Sequence, residues 1–172
     1  MVRKRINKKG QEVMGMSFGV IFSIILIVFF IVIAIIVINA FLKSRDCAQI
    51  GMFLDRLEDD VKSSWNSQKD IHEFKGNIPS NIDYVCFADL TAGSESEGEA
   101  REIWRDINIG NKEHNLFFSP RKKSCDIPSY YVPHLDIERI TSSENPYCVE
   151  VIKGKVSFDV IKRSTSGLVE IK

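Results

Sequence analysis

The chain has 172 residues and no formal net charge, but its charges are distributed unevenly. Residues 1–10 contain five basic side chains and no acidic one, residues 11–42 contain only Glu12, and residues 43–172 contain 18 basic and 22 acidic side chains. A region with a net charge of −4 has no excess of basic side chains to neutralise phosphates, which argues against nucleic acid as a partner.

The first predicted element is a transmembrane helix within residues 11–42. Thirty residues from Val13 to Leu42 carry no charge, whereas about 20 apolar residues suffice to cross the hydrocarbon core of a bilayer. The segment Val20 to Ile38 is apolar on every face, so it has no polar side to expose if it packed on a soluble core. The run also exceeds the apolar region of a secretory signal peptide, which has about 7–15 residues. We therefore expect a retained, lipid-contacting helix.

Flanking charges predict the orientation of this helix. Five basic residues precede it, whereas Lys43 and Arg45 follow it beside Asp46. An excess of Lys and Arg marks the cytoplasmic side. The sequence thus predicts a single-pass protein with residues 1–10 in the cytoplasm and residues 43–172 outside the cell membrane.

The stretch Lys8-Lys9-Gly10-Gln11-Glu12 resembles the class III leader of archaeal type IV pilin-like proteins. The resemblance covers about 30 residues and implies that a prepilin-type peptidase cuts between Gly10 and Gln11, leaving 162 residues. It also implies a pilin-like fold and assembly with other pilin-like subunits, or with further copies of this chain, through the apolar helix. The outer part resembles, in layout, uncharacterised archaeal membrane-anchored proteins.

One position differs from the pattern of that family. Its members usually carry a glutamate at the fifth mature position, which pairs with the terminal amine of a neighbouring subunit. Gly15 stands there in this chain, and the nearest acid, Glu12, is the second mature residue. The difference favours a minor pilin or pseudopilin over a major filament subunit.

Small residues recur at every fourth position near the start of the apolar helix, at Gly15, Gly19 and Ser23. Such a stripe lets a second membrane helix approach closely. We interpret it as a candidate helix-packing surface, although chance is a second explanation because Gly and Ser are common in membrane helices.

Residues 43–70 are predicted to extend the helix outwards as an amphipathic stalk. Apolar residues recur at three- and four-residue steps, as helix periodicity requires: Ile50, Phe53, Leu54, Leu57, Val61 and Trp65. The helical region is expected to end before Pro79. Residues 71–172 are predicted to form a β-rich domain outside the membrane, so the fold class is α+β, with the long helix packed on a small antiparallel sheet.

Within this domain, strands are expected at residues 82–90, 115–119 and 148–152. Residues 91–100 form a predicted loop, residues 102–107 a short helix around Trp104, and residues 130–140 an extended edge segment. The alternation of Val156, Phe158 and Val160 with polar residues predicts a strand over 155–162, and residues 168–171 return beside it. The strands from 148 to 171 are predicted to form a meander.

The four cysteines all follow the membrane helix: Cys47, Cys86, Cys125 and Cys148. An even number of cysteines in an oxidising space favours two disulfides. Three pairings exist. The predicted strand positions favour Cys86 with Cys148 and Cys47 with Cys125, but they do not exclude the others. A zinc site is the alternative, although no CxxC or CxH pair is present.

No catalytic constellation is found in the sequence, so we expect no enzyme activity, cofactor or metal. His72, His114 and His134 belong to no ligand pattern and are interpreted as surface residues. The acidic cluster at residues 58–60 and the basic cluster at residues 121–123 are interpreted as solvated. Two functions remain: a structural pilin-like subunit, or a permanently anchored accessory module whose β domain binds a partner outside the cell.

Overall fold

The computed structural model describes residues 9–94 and 97–172, and for residues 9–17 it describes the backbone alone. Contacts divide the chain into two units, Met1–Leu42 and Lys43–Lys172. The elements follow in chain order: α1 Lys9–Trp65, β1 Asp70–Asn77, β2 Tyr84–Phe87, α2 Gly98–Ile107, β3 Leu116–Ser119, a 3₁₀ turn Arg121–Lys123, β4 Ser129–Tyr130, α3 Ile137–Ile140, β5 Tyr147–Glu150, β6 Lys155–Lys162 and β7 Val169–Ile171.

Helix α1 includes both the predicted membrane segment and the predicted amphipathic segment. It ends at Trp65, where local hydrogen bonds occupy carbonyls of its last turn. The Asn66 side-chain amide donates to the Lys62 carbonyl at 2.8 Å, and both the amide and the hydroxyl of Ser67 donate to Ser64 O. Carbonyl groups that lack a partner within the helix are satisfied in this way, so the helix ends here.

A three-stranded antiparallel sheet has the order β1-β6-β7. All eight residues of β1 pair with β6, from Asp70 opposite Lys162 to Asn77 opposite Lys155. The predicted alternation in β6 is confirmed, since Val156, Phe158 and Val160 are buried while the residues between them are exposed. Strand β7 then pairs with the end of β6.

A four-stranded antiparallel sheet has the order β4-β3-β2-β5. Its two central strands, β2 and β3, are covered on both faces. Val85, Phe87 and Phe118 belong to the main core, which also contains the amphipathic segment of α1. Cys86 and Phe117 point to the other face, where a smaller core includes Ile103 and Ile107 of α2.

The amphipathic segment of α1 supplies five fully buried residues to the main core: Ile50, Phe53, Leu54, Leu57 and Val61. These are the first five residues of the predicted apolar stripe. Trp65, the sixth, is 38% exposed. Its ring stacks on His134 with centroids 3.8 Å apart, and its indole N–H donates to the Gly167 carbonyl at 3.0 Å. The predicted α+β class, with the helix packed on antiparallel strands, is confirmed.

Three local predictions differ from the structure. Strand β1 is not predicted, since the helix is expected to reach residue 70 and the first strand to begin at residue 82; it forms because its backbone groups are satisfied by β6, a partner distant in sequence. Residues 137–140 form α3 instead of extended chain, because the Asp136 carboxylate accepts a hydrogen bond from the Arg139 amide at 3.2 Å and caps the helix. The short helix predicted around Trp104 is confirmed as α2, but it starts at Gly98, four residues before the predicted start at Glu102.

The predicted meander from residue 148 to 171 is also wrong in part. Strands β5 and β6 are consecutive, but β5 belongs to the four-stranded sheet and β6 to the three-stranded one. Only β6 and β7 pair as expected. The strands therefore form two antiparallel sheets where one was predicted.

A buried carboxylate on β7 makes the stability of the domain depend on pH. The Glu170 side chain is 5% exposed and accepts from Arg139 at 2.7 Å and from Arg163 at 3.1 Å. Burial raises the pKa of Glu170, but the hydrogen bonds from the two guanidinium groups outweigh burial and hold the pKa below its ordinary value.

We expect Glu170→Gln to destabilise the domain by about 1–2 kcal/mol at neutral pH, because about half of each guanidinium side chain is exposed and solvent screens the pairs. A lowered folded-state pKa means that the stabilisation is complete above the ordinary carboxyl pKa and is lost as the pH falls through the folded value. Denaturant unfolding of wild type and variant should thus converge in acid. Glu138→Gln, at an exposed neighbour, should differ little from wild type, and a Glu170→Gln effect independent of pH would contradict this account.

Candidate functional site

The exposed apolar surface of α1 is the candidate functional site. Every side chain from Phe18 to Leu42 is exposed, although nearly all of them are apolar. Within Phe18–Trp65 the most apolar stretch has a mean hydropathy of 3.7, and none of it is buried. By length and composition, α1 thus contains one segment able to cross a membrane. An uncovered surface of this kind is stable in lipid or against other apolar helices.

The candidate packing stripe lies at the start of this segment. The Ser23 hydroxyl donates to the Gly19 carbonyl at 2.8 Å, so its polar group is satisfied within the helix. A Cβ placed on Gly19 meets nothing within 4 Å, so close packing within the chain does not require the glycine. For Gly15, the first residue of the stripe, the structure describes the backbone alone.

The predicted cleavage point lies at the edge of the described residues. Residues 1–8 of the leader lie outside them. Gly10 and Gln11 fall in the first turn of α1, where the structure describes only the backbone. Cleavage between them remains a prediction.

Two disulfides join elements of the unit Lys43–Lys172, which we term the outer domain after its predicted location. Cys47 of α1 is joined to Cys125, 78 residues away, and Cys86 of β2 is joined to Cys148 of β5. Cys86 and Cys148 are directly opposite each other in the ladder. This is the pairing that the strand positions favoured, and no cysteine is left for a zinc site. Disulfides persist in oxidising spaces, which agrees with an outer location for this domain.

His72 and the acidic cluster at residues 58–60, which were predicted to be solvent-exposed, make specific contacts with other elements. His72 Nε2 lies 2.8 Å from Asp60 Oδ2, and its Nδ1 lies 3.1 Å from Asp70 Oδ2. The hydrogen bond to Asp60 raises the pKa of His72. Because a neutral imidazole can donate through one nitrogen only, the ring donates to both carboxylates only when it is protonated. The cluster links α1 to β1.

This cluster does not have the geometry of a nucleophile and its base. The Ser64 hydroxyl is fully buried and donates to Asp70 at 2.7 Å rather than to His72. Of the other acidic residues on α1, Glu58 accepts from the Tyr130 hydroxyl at 2.6 Å. The acidic cluster of α1 therefore ties the helix to strands, a role that periodicity alone could not reveal. In the described part of the chain, no group of His, Cys, Asp and Glu is placed to hold a metal ion.

The sequence matches no protein-family profile and no curated protein, and the structure matches no solved structure. What can be inferred about function therefore depends on the residues of this chain.

Proposed function

We propose that this chain is a membrane-anchored, pilin-like structural subunit that assembles with other pilin-like subunits through its apolar helix. The observation that carries the proposal is that one helix, α1, contains both an uncovered apolar segment and an amphipathic segment buried in a disulfide-bonded β domain. The apolar segment supplies lipid contact before assembly and helix–helix contact after it. The leader motif at Gly10 and Gln11 supports processing by a prepilin-type peptidase.

The proposed location is the cell membrane, with the N-terminus in the cytoplasm and the β domain outside. The five basic residues at positions 1–10 support this orientation through their preference for the cytoplasmic side. The two disulfides support it from the other end of the chain, because such bonds persist in oxidising spaces.

Gly15 favours a second candidate function. Without a glutamate at the fifth mature position, the chain lacks the carboxylate that pairs with a neighbouring terminal amine in pilin-like proteins. This absence fits a minor subunit better than a major filament subunit. A permanently anchored accessory module, whose β domain binds a partner, does not need that carboxylate at all.

Processing separates the two functions. The full chain should be co-expressed with an archaeal prepilin-type peptidase whose activity is verified on a known pilin, and its intact mass and N-terminal sequence should then be measured. We expect a mature chain that begins at Gln11. Gly10→Val should block the cut, because the family's peptidase cleaves after glycine. Gly19→Val, the same substitution nine residues later, should be cut normally.

Assembly is tested with the second of these variants, Gly19→Val. Because a Cβ at position 19 meets nothing within 4 Å beyond the adjoining turns of its own helix, Gly19→Val should leave the folded chain intact. It should nevertheless weaken association severalfold, measured by cysteine cross-linking at position 23 in membranes, if α1 packs on a second helix there. A chain that keeps Met1 beside an active peptidase, together with cross-linking unchanged by Gly19→Val, would overturn the pilin-like proposal in favour of the permanent anchor.

A further inference from the structure

The hairpin that joins β5 to β6 opens into a groove. Ile152 and Lys155 exchange backbone hydrogen bonds of 2.9 and 3.1 Å. Lys153 and Gly154, between them, have φ values of 52° and 74°, as a tight two-residue hairpin turn requires. Beyond this bridge the two strands separate into different sheets, so the hairpin is closed at its turn and open at its mouth.

Backbone groups at this mouth belong to neither ladder. The Val151 N–H donates to the Asp83 carbonyl. Because the backbone groups of successive residues in an antiparallel ladder alternate in direction, residues 147, 149 and 151 direct their N–H and C=O groups towards β2, and Glu150 directs its groups away from β2. The Ile78 N–H donates to the Gly154 carbonyl. By the same alternation, the even-numbered residues of β6 form hydrogen bonds with β1, and the backbone groups of Ser157 point away from β1. Glu150 and Ser157 would form the next pair of the hairpin if the strands stayed together.

A groove at this mouth has a volume of about 770 Å³ and is lined by residues of β5 and β6 together with residues of α1 and β1. Val149 and the buried Val156 line it from the two strands, and the Ile152 side chain at its rim is 62% exposed. Backbone N–H and C=O groups without a ladder partner, and an apolar surface beside them, are the two features with which a sheet edge binds an extended peptide. The backbone hydrogen bonds supply affinity, and alternate side chains of the peptide pack on the apolar surface.

The charges around the groove are mainly positive. Arg56, Lys75 and Lys155 line it, against one carboxylate, that of Glu150. Lys75 is paired with Glu73 at 2.8 Å. Arg56 donates to the Lys75 carbonyl at 3.2 Å, and within the described ranges 9–94 and 97–172 no ion pair involves Arg56 or Lys155. Two exposed cations are thus available to a ligand.

We propose that this groove binds an extended, acidic peptide segment of a partner protein, which adds as a strand between β5 and β6. Its backbone pairs with Glu150 and Ser157, its apolar side chains pack on Val149 and Ile152, and its carboxylates meet Arg56 and Lys155. This binding site does not depend on the pilin-like function, because every residue in it belongs to the outer domain.

The test uses the full chain in nanodiscs of zwitterionic lipid and a fluorescein-labelled, amidated peptide, Thr-Glu-Val-Glu-Val-Thr. Fluorescence anisotropy should show binding with a Kd in the micromolar range, on the order of 1–100 μM. The double variant Arg56→Glu with Lys155→Glu should raise the Kd about tenfold. Lys122→Glu, at an exposed basic residue outside the groove, is the matched control and should leave the Kd unchanged.

Two further peptides separate strand addition from charge attraction without altering the protein. A peptide with lysine in place of both glutamates should bind at least about tenfold more weakly. A peptide N-methylated on alternate amides keeps its charges but loses ladder donors, and it should also lose affinity. Absence of binding, equal binding of the lysine or methylated peptide, or equal binding to the double variant would overturn the proposal. So would a change in the oligomeric state of the double variant without peptide, since the groove would then hold a second copy of the chain.

Discussion

A triple variant with arginine in place of Leu26, Phe29 and Val32 is expected to be lost from the membrane. All but Ser23 and Ala34 of the residues from Val20 to Ile38 are Val, Ile, Leu or Phe. At about −0.3 to −0.6 kcal/mol each, these residues favour insertion by on the order of 5–10 kcal/mol. Three arginines near the helix centre cost about 2.5–3.5 kcal/mol each, which cancels that gain.

The measurement is extraction of isolated membranes with alkaline carbonate, followed by detection of the chain in pellet and supernatant. Wild type should stay in the pellet, and the triple variant should leave it or fail to insert. A triple variant with Leu26→Ile, Phe29→Leu and Val32→Ile changes the same positions without charge and should stay in the pellet. Retention of the arginine variant would show that the apolar segment is not what holds the chain in the bilayer.

Phe53→Ala is expected to destabilise the outer domain by about 3–5 kcal/mol, the usual cost of removing a buried aromatic ring. Phe53 of α1 is 2% exposed. Its ring packs edge-on against Phe74 of the three-stranded sheet at 5.8 Å and against Phe118 of the four-stranded sheet at 6.1 Å. One side chain therefore joins the helix to both sheets, and typical domains are stable by only about 5–15 kcal/mol.

Denaturant unfolding of the full chain in detergent, followed by tryptophan fluorescence, measures this loss. Met52→Ala is the matched control, because the adjacent Met52 is 60% exposed and its truncation should cost less than about 0.5 kcal/mol. Gly76 supports the same contact from β1. A Cβ on this glycine would lie 2.5 Å from the Phe53 ring, so the ring occupies space that only glycine leaves open. An unfolding midpoint of Phe53→Ala equal to that of wild type would contradict the central role of this ring.

Features that repeat locally in the sequence could be predicted. The periodicity of Ile50, Phe53 and Leu57 identified the buried face of α1, and the alternation around Phe158 identified β6, because a helix or strand face is set by residues close in the chain. The uncharged run before Lys43 identified the candidate membrane segment for the same reason. The favoured disulfide pairing followed from placing Cys86 and Cys148 in strands.

Features that depend on distant partners could not be predicted. Strand β1 has weak alternation of its own and exists because all of its residues pair with β6. The separation of β5 from β6 is invisible in a segment whose turn, Lys153-Gly154, is typical of an ordinary hairpin. The groove, the His72 cluster and the Glu170 ion pairs are formed by residues from several elements, so no local pattern marks them.

The bond between Cys47 and Cys125 determines how the outer domain responds to a pulling force. Cys47 is five residues beyond Leu42, so tension transmitted along the anchor reaches the domain almost at this cysteine. The covalent link passes the load directly to the segment around Cys125, and the amphipathic turns of α1 are not peeled from the strands one at a time from their membrane-proximal end. Peeling these turns from that end would have to break the Cys47–Cys125 bond or carry the Cys125 segment along with the helix.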